Sequence, residues 1–250
     1  MAVAIYPDLK GKTALVTGGG SGIGESLVRA FIEQGMRVAF IDFNAEASTK
    51  LAQALGSAVA FEQADLRDIE AATKAVERLR GKLGPFDILV NNAARDDRHK
   101  IEEVTPQYWR ERMATNLDHQ FFVSQAVYKD MIAKGGGSII NMSSSSFLAS
   151  AESFSVYKTA KSAVIGLTRS FARELGAHNI RVNCILPGWI MTSRQRELWV
   201  TPEAEKATLA RQCIKRLLVP DDIANMVLFL ASDASSAITA QSYMVDGGQY

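Results

Sequence analysis

Cysteine, histidine and any excess of charge are what this sequence has least of. Its two cysteines, Cys184 and Cys213, fall in no C-x-x-C or other ligand spacing, and the three histidines, His99, His119 and His178, are scattered. Buried or incidental thiols and no metal site are therefore expected. Lys plus Arg number 28 against 27 Asp plus Glu, a formal charge of +1. That balance gives no electrostatic case for binding nucleic acid or an anionic membrane and favours small neutral or polar partners. No apolar run approaches the ~18 residues needed to cross a bilayer. Met1 to Lys10 lacks the charged head, apolar centre and cleavage site of a secretory signal, so a soluble cytoplasmic protein is expected.

What is present is a regular alternation. With 250 residues, 47% of them hydrophobic, the chain is long enough for one large α/β domain spanning 1–250, and no repeat, low-complexity linker or break in composition marks a second. Short apolar runs at Thr13 to Thr17, Arg37 to Asp42, Val59 to Ala64, Phe86 to Val90, Ser138 to Met142, Ile180 to Leu186 and Tyr243 to Val245 read as strands of a buried sheet. Between them, helical periodicity runs over Glu25 to Gln34, Ala45 to Leu55, Ile69 to Leu83, Pro106 to Lys134, Val156 to Leu175 and Asp221 to Ala231. The charged stretch of about 189–215 interrupts the alternation and reads as a lid over a ligand.

Two stretches carry chemistry. The first, Gly18-Gly19-Gly20-Ser21-Gly22-Ile23-Gly24, lies between strand and helix, where glycines let the backbone approach a pyrophosphate at a helix N-terminus. Asp42, about twenty residues on, closes the second strand where a ribose-binding carboxylate belongs. An acid there, followed by Phe43 rather than a cation, favours NAD over NADP; the competing role for Asp42 is a helix cap. Asp65, before Leu66, belongs either at the adenine edge or in a turn. Small residues and amides at Asn91-Asn92-Ala93-Ala94 let a cofactor lie close to the fourth strand's end. Arg95 to Lys100 reads as a solvated loop, and Asn116, inside a long helix, as facing solvent.

The second stretch, Ser143 to Lys161, holds Ser144, Tyr157 and Lys161. Helical spacing puts Tyr157 and Lys161 on one face. Lowering a tyrosine pKa from about 10 to near neutrality requires roughly 4 kcal/mol of phenolate stabilisation. A lysine ammonium at about 4 Å contributes on the order of 4 kcal/mol at an effective dielectric near 20.

The ordered set Thr17 to Gly24 as T-G-x-x-x-G-I-G, Asn91-Asn92-Ala93, Asn116, Ser144, Tyr157-x-x-x-Lys161, Pro187-Gly188 and Asp246-Gly247-Gly248 resembles the short-chain dehydrogenases/reductases over essentially the whole chain. The resemblance implies a single Rossmann-type, doubly wound domain with a seven-stranded parallel sheet flanked by helices, usually assembled as a homotetramer. It further implies that Ser144 orients the reacting oxygen, Tyr157 exchanges its proton, Lys161 holds the nicotinamide ribose and lowers the tyrosine pKa, and Asn116 supports a water relay. Ile190 and Thr192, past Pro187-Gly188, match positions that contact the nicotinamide. Ala94 departs from the family's more usual glycine.

I-Y-P-x-L-K-G-K near the start, D-D-R-H-K at Asp96 to Lys100, and T-P-E followed by Q-C-I-K look like bacterial aldose 1-dehydrogenases of the D-xylose type. That likeness implies NAD-dependent oxidation of a cyclic pentose, hexose or 6-deoxyhexose at C1 to the aldonolactone. Asp96, His99, Glu152, Trp189 and Gln195 are then expected around the sugar. The rival readings are an oxidoreductase of another secondary alcohol or ketone, such as a polyol or 3-oxoacyl substrate, and a non-catalytic binding protein of the same fold. Intact Ser144, Tyr157 and Lys161 argue against the last.

Overall fold

A computed structural model describes residues 4–149 and 152–250; Ser150 and Ala151, within the Ser144 to Tyr157 segment, lie outside the described residues. Apolar runs too short for helices became strands β1 (Thr13–Thr17), β2 (Arg37–Asp42), β3 (Val59–Gln63), β4 (Ile88–Asn91), β5 (Gly137–Met142), β6 (Ile180–Pro187) and β7 (Ser242–Val245). They form one parallel sheet in the order β3-β2-β1-β4-β5-β6-β7. The order reverses direction between β1 and β4, and sheets of this kind open a ligand crevice outside the strand carboxyl ends there.

Alternate strand residues serve opposite faces of the sheet. Ala14 and Val16 join Val38, Phe40 and Ile88 under helices α1 (Gly22–Glu33) and α9 (Pro220–Ala231). Leu15 joins Ala39, Ile41 and Leu89 under α3 (Ile69–Leu83) and α5 (His119–Ala133). With both faces covered, β1 and β4 are buried at every position, which is why they read as unbroken apolar runs rather than as alternation. The remaining helices are α2 (Ala45–Leu55), α4 (Pro106–Met113), α6 (Ser155–Leu175), α7 (Ser193–Leu198) and α8 (Pro202–Arg211), the last two inside the 189–215 insertion.

Strand β4 is shifted to Ile88–Asn91 from the expected Phe86 to Val90, several ends move by a residue, and two helices differ more substantially. Helix α1 starts at Gly22 rather than Glu25, because Gly22 to Gly24 form its first turn. The single helix expected from Pro106 to Lys134 is split into α4 and α5 by a π-helical turn over Ala114–Asp118. Asn116 sits in that turn, wholly buried rather than facing solvent. Its Oδ1 accepts from the Arg95 backbone N–H at 2.8 Å and its Nδ2 donates to the Arg112 carbonyl at 2.9 Å. A wider turn lets the amide reach a loop that needs a hydrogen-bond acceptor, a local feature typical of functional sites. Among the described residues no helix is long and apolar enough to cross a membrane.

Candidate active site

A cavity of about 900 Å³ opens at the carboxyl ends of the strands. Its floor is the turn from β1 into α1. Gly18 and Gly22 have φ of +67° and +57°, in the left-handed region that favours glycine. A Cβ on Gly24 would lie 1.8 Å from the Gly18 carbonyl oxygen, so the helix can start this close to the strand only with glycine. Asn92 ties the neighbouring strand end to the same turn, donating to the carbonyls of Thr17 at 3.0 Å and Gly18 at 3.1 Å. The N-cap residue of α1, Ser21, makes no side-chain capping bond, which leaves helix N–H groups for an anionic ligand.

At one end of the cavity, Asp42 accepts from the Gly20 N–H and the Asn44 N–H, each at 2.9 Å. The cap of α2 is Asn44, which accepts from Ala47 N, so Asp42 is not itself that cap. Asp65 accepts from Arg67 N at 3.0 Å and pairs with the Arg67 guanidinium at 2.5 Å; it is a turn former and also lines the cavity. Arg67 lines it too, a cation that reading only the residue after Asp42 misses.

At the other end lie Ser144, Tyr157 and Lys161. Ser144 follows β5, and its Oγ lies 2.9 Å from that of Ser146. Lys161 is buried, with Nζ donating to the Met142 carbonyl at 2.8 Å and lying 5.8 Å from the centroid of the Tyr157 ring. Burial lowers its pKa to about 8. The Tyr157 phenol is pushed above its ordinary value, first by burial and then by the Asp96 carboxylate, while a hydrogen bond from Ser144 pulls it back. In the protein without its cofactor the phenol is therefore raised, and the positive charge of a bound nicotinamide is not among the groups acting on it. The ammonium is engaged by a carbonyl, and loss of solvent disfavours both charges. Beneath them His119 is wholly buried, its Nε2 3.0 Å from the Ala93 carbonyl. Burial, then the nearby Lys161 charge, lower its pKa to about 3, so the ring is neutral.

Apart from Gly19, Gly20 and Asn91, the residues expected at the cofactor, from Gly18 to Thr192, line this one cavity, as do Asp96, Glu152, Trp189 and Gln195. Trp189 Nε1 donates to Gln195 Oε1 at 2.8 Å, and Gln195 Nε2 donates to Asp96 at 2.7 Å, joining the insertion to the loop after β4. His99 and Asn116 are not in the lining. Both are buried, His99 within the loop after β4 and Asn116 with its Oδ1 on that loop's Arg95 N–H. Arg98, stacked over Trp199 at 4.1 Å and near Phe154 at 6.0 Å, does line the cavity with both rings. Sequence spacing held no signal for that trio, because each comes from a different loop.

A glycine cradle with open helix N–H groups, an acid at the end of β2 and a tyrosine–lysine pair at the far end of one crevice define a nicotinamide-dependent oxidoreductase. The chain belongs to the short-chain dehydrogenase/reductase family and acts on CH–OH groups. Residues 18–249 match the family model described as enoyl-(acyl carrier protein) reductase. The chain is 52% identical to "Probable galactose dehydrogenase GalD" of Rhizobium meliloti (strain 1021), over 98% of this chain and 97% of that protein. It is 45% identical to the D-xylose 1-dehydrogenase of Caulobacter vibrioides (strain NA1000 / CB15N), over 99% of each. Among solved structures, the 3-oxoacyl-[acyl-carrier protein] reductase of Brucella melitensis superposes with a TM-score of 0.91 at 31% identity, covering 98% of this chain and 94% of that one.

Proposed function

We propose that this protein is an NAD-dependent aldose 1-dehydrogenase, oxidising a cyclic pentose, hexose or 6-deoxyhexose at C1 to its aldonolactone. The observation that carries this reading is what lines the crevice. The cavity that holds Tyr157 is also lined by Asp96, Glu152, Trp189 and Gln195, which pairs hydrogen-bonding groups with an apolar ring face, as a sugar requires. Full-length identity to proteins named galactose dehydrogenase and D-xylose 1-dehydrogenase supports the substrate class.

The cradle fits NAD, with Gly18 to Gly24 at the pyrophosphate, Asp42 at the adenosine ribose, and Lys161, Ile190 and Thr192 toward the nicotinamide. Asp42 disfavours a 2′-phosphate, and Arg67, a cation lining the same cavity, is paired with Asp65. NAD, when bound, supplies the acceptor for the hydrogen on C1 together with a positive charge. Tyr157 takes the proton of the C1 hydroxyl while Ser144 donates to the same oxygen, leaving a C1 carbonyl. Lys161 holds the ribose and its charge favours the phenolate, Asn116 fixes the loop beside it as part of a proton relay, and the 189–215 insertion closes over the sugar. Exposed Phe121 and Phe122 on α5, with Phe121 5.1 Å from Phe171, support burial of that face in a homotetramer.

Product identification tests the reading. Incubation with NAD and D-xylose, L-arabinose, D-galactose or L-fucose is expected to yield NADH and an aldonolactone that hydrolyses to the aldonic acid. A ketose product, or turnover of polyols or 3-oxoacyl substrates but of no aldose, would refute oxidation at C1.

A further inference from the structure

The loop from Arg95 to Lys100 is built around Asp97. Its carboxylate pairs with Arg95 Nε at 2.8 Å, Arg112 Nη1 at 2.5 Å and Arg194 Nη2 at 3.0 Å, so the loop is braced from α4 and from α7. His99 stands on that braced base, 7% exposed and outside the cavity lining, with no part in the chemistry described above.

Its contacts fix its protonation pattern. Nδ1 lies 3.2 Å from the Asp97 carbonyl, which only accepts, and 3.0 Å from the Tyr108 hydroxyl. Nε2 lies 3.3 Å from the Val156 N–H, which only donates, and 3.3 Å from the Ser155 hydroxyl. The proton therefore belongs on Nδ1 and a bare lone pair on Nε2. Val156 is in the first turn of α6, where backbone N–H groups have no partner within the helix. The helix's own N-cap residue, Phe154, makes no side-chain capping bond. The His99 backbone also reaches this point, since its N–H donates to the Ser153 carbonyl at 2.7 Å. Ser153 has φ of +79°, a left-handed conformation that a residue other than glycine holds only under constraint.

We infer that His99 is a positioning residue for the reaction. Its imidazole caps the catalytic helix from a separate loop, its backbone holds Ser153 in the strained conformation that leads into that helix, and the two together set where Tyr157, the next residue after Val156, presents its oxygen. Proton transfer needs that oxygen within hydrogen-bond reach of the substrate, and small displacements cost large factors in rate. The inference rests on Tyr157 being the proton acceptor.

The test compares H99Q with H99N in the full chain, beside Y157F. The glutamine side chain ends near the place of Nε2 and can accept from Val156; the asparagine side chain ends at the place of Nδ1 and cannot. H99Q is expected to keep kcat within about threefold of wild type, and H99N to lose about tenfold or more. The KM for NAD should stay within about twofold in both, because the cradle at Gly18 to Gly24 does not touch His99. Equal kcat in H99N and H99Q, loss of cofactor affinity in step with kcat, or loss of the fold in either variant would overturn the inference by making the ring a packing element. Near-normal turnover in Y157F would overturn it from the other side, by removing Tyr157 as the base whatever His99 does.

Discussion

Lys161 Nζ lies 5.8 Å from the ring centroid of Tyr157 while donating to the Met142 carbonyl at 2.8 Å. The lysine is thus held between the end of β5 and the tyrosine ring, and the proposed mechanism asks it to serve both ribose and phenolate from there. Tyr157→Phe keeps the ring and this packing but removes the proposed proton acceptor. Turnover is expected to fall by about 10²-fold or more, with NAD affinity, measured by fluorescence titration, within about twofold of wild type. Lys161→Ala is expected to damage both quantities, since one ammonium serves both.

Burial, and then the Asp96 carboxylate, hold the Tyr157 pKa above its ordinary value. In the proposed mechanism the base is the phenolate, so a raised pKa means that kcat/KM for oxidation is expected to increase as the pH is raised from neutral. Asp96→Asn removes a negative charge that opposes the phenolate, and the rising limb of the profile is expected to move to lower pH. The same change should raise the KM of the sugar by about tenfold, the value of one hydrogen bond to a charged group. A profile that does not move would show that Asp96 and the titrating group are not coupled.

Asp42 accepts from the Gly20 and Asn44 N–H groups, and in the proposed function its charge disfavours an added phosphate. Asp42→Ser, measured by the ratio of kcat/KM with NAD to that with NADP, is expected to reduce the preference for NAD by about tenfold or more. Wild-type enzyme that uses both cofactors equally would contradict this role for Asp42.

His119 ties acid stability to the site. Its folded pKa, about 3, lies below the unfolded value near 6.5. The unfolded chain therefore takes up the proton first as the pH falls. The stabilisation is complete above about pH 6.5 and is lost progressively toward pH 3, amounting to about 2 kcal/mol lost by pH 5. His119→Gln has no such proton to take up. In urea unfolding at pH 7.5 and pH 5, wild type should lose about 2 kcal/mol more than the variant.

The order of strands and helices, the glycine cradle, Asp42 and the serine–tyrosine–lysine set were legible in the sequence because they depend on local rules. Strand length, helical periodicity and the φ that only glycine tolerates are properties of neighbouring residues. Tertiary structure alone decided what depends on segments distant in the chain. Asn116 is buried because a loop amide at Arg95 needs its oxygen, and that demand opens a π turn where periodicity shows one helix. His99 leaves the sugar pocket for the start of α6 because Val156, 57 residues on, has an N–H to satisfy. The phenol of Tyr157 is raised because burial, absent from any spacing rule, comes first and the Asp96 carboxylate, from a distant loop, adds to it. Motif spacing can name the groups that meet, but desolvation and the competition for hydrogen bonds are set only when the chain has closed around them.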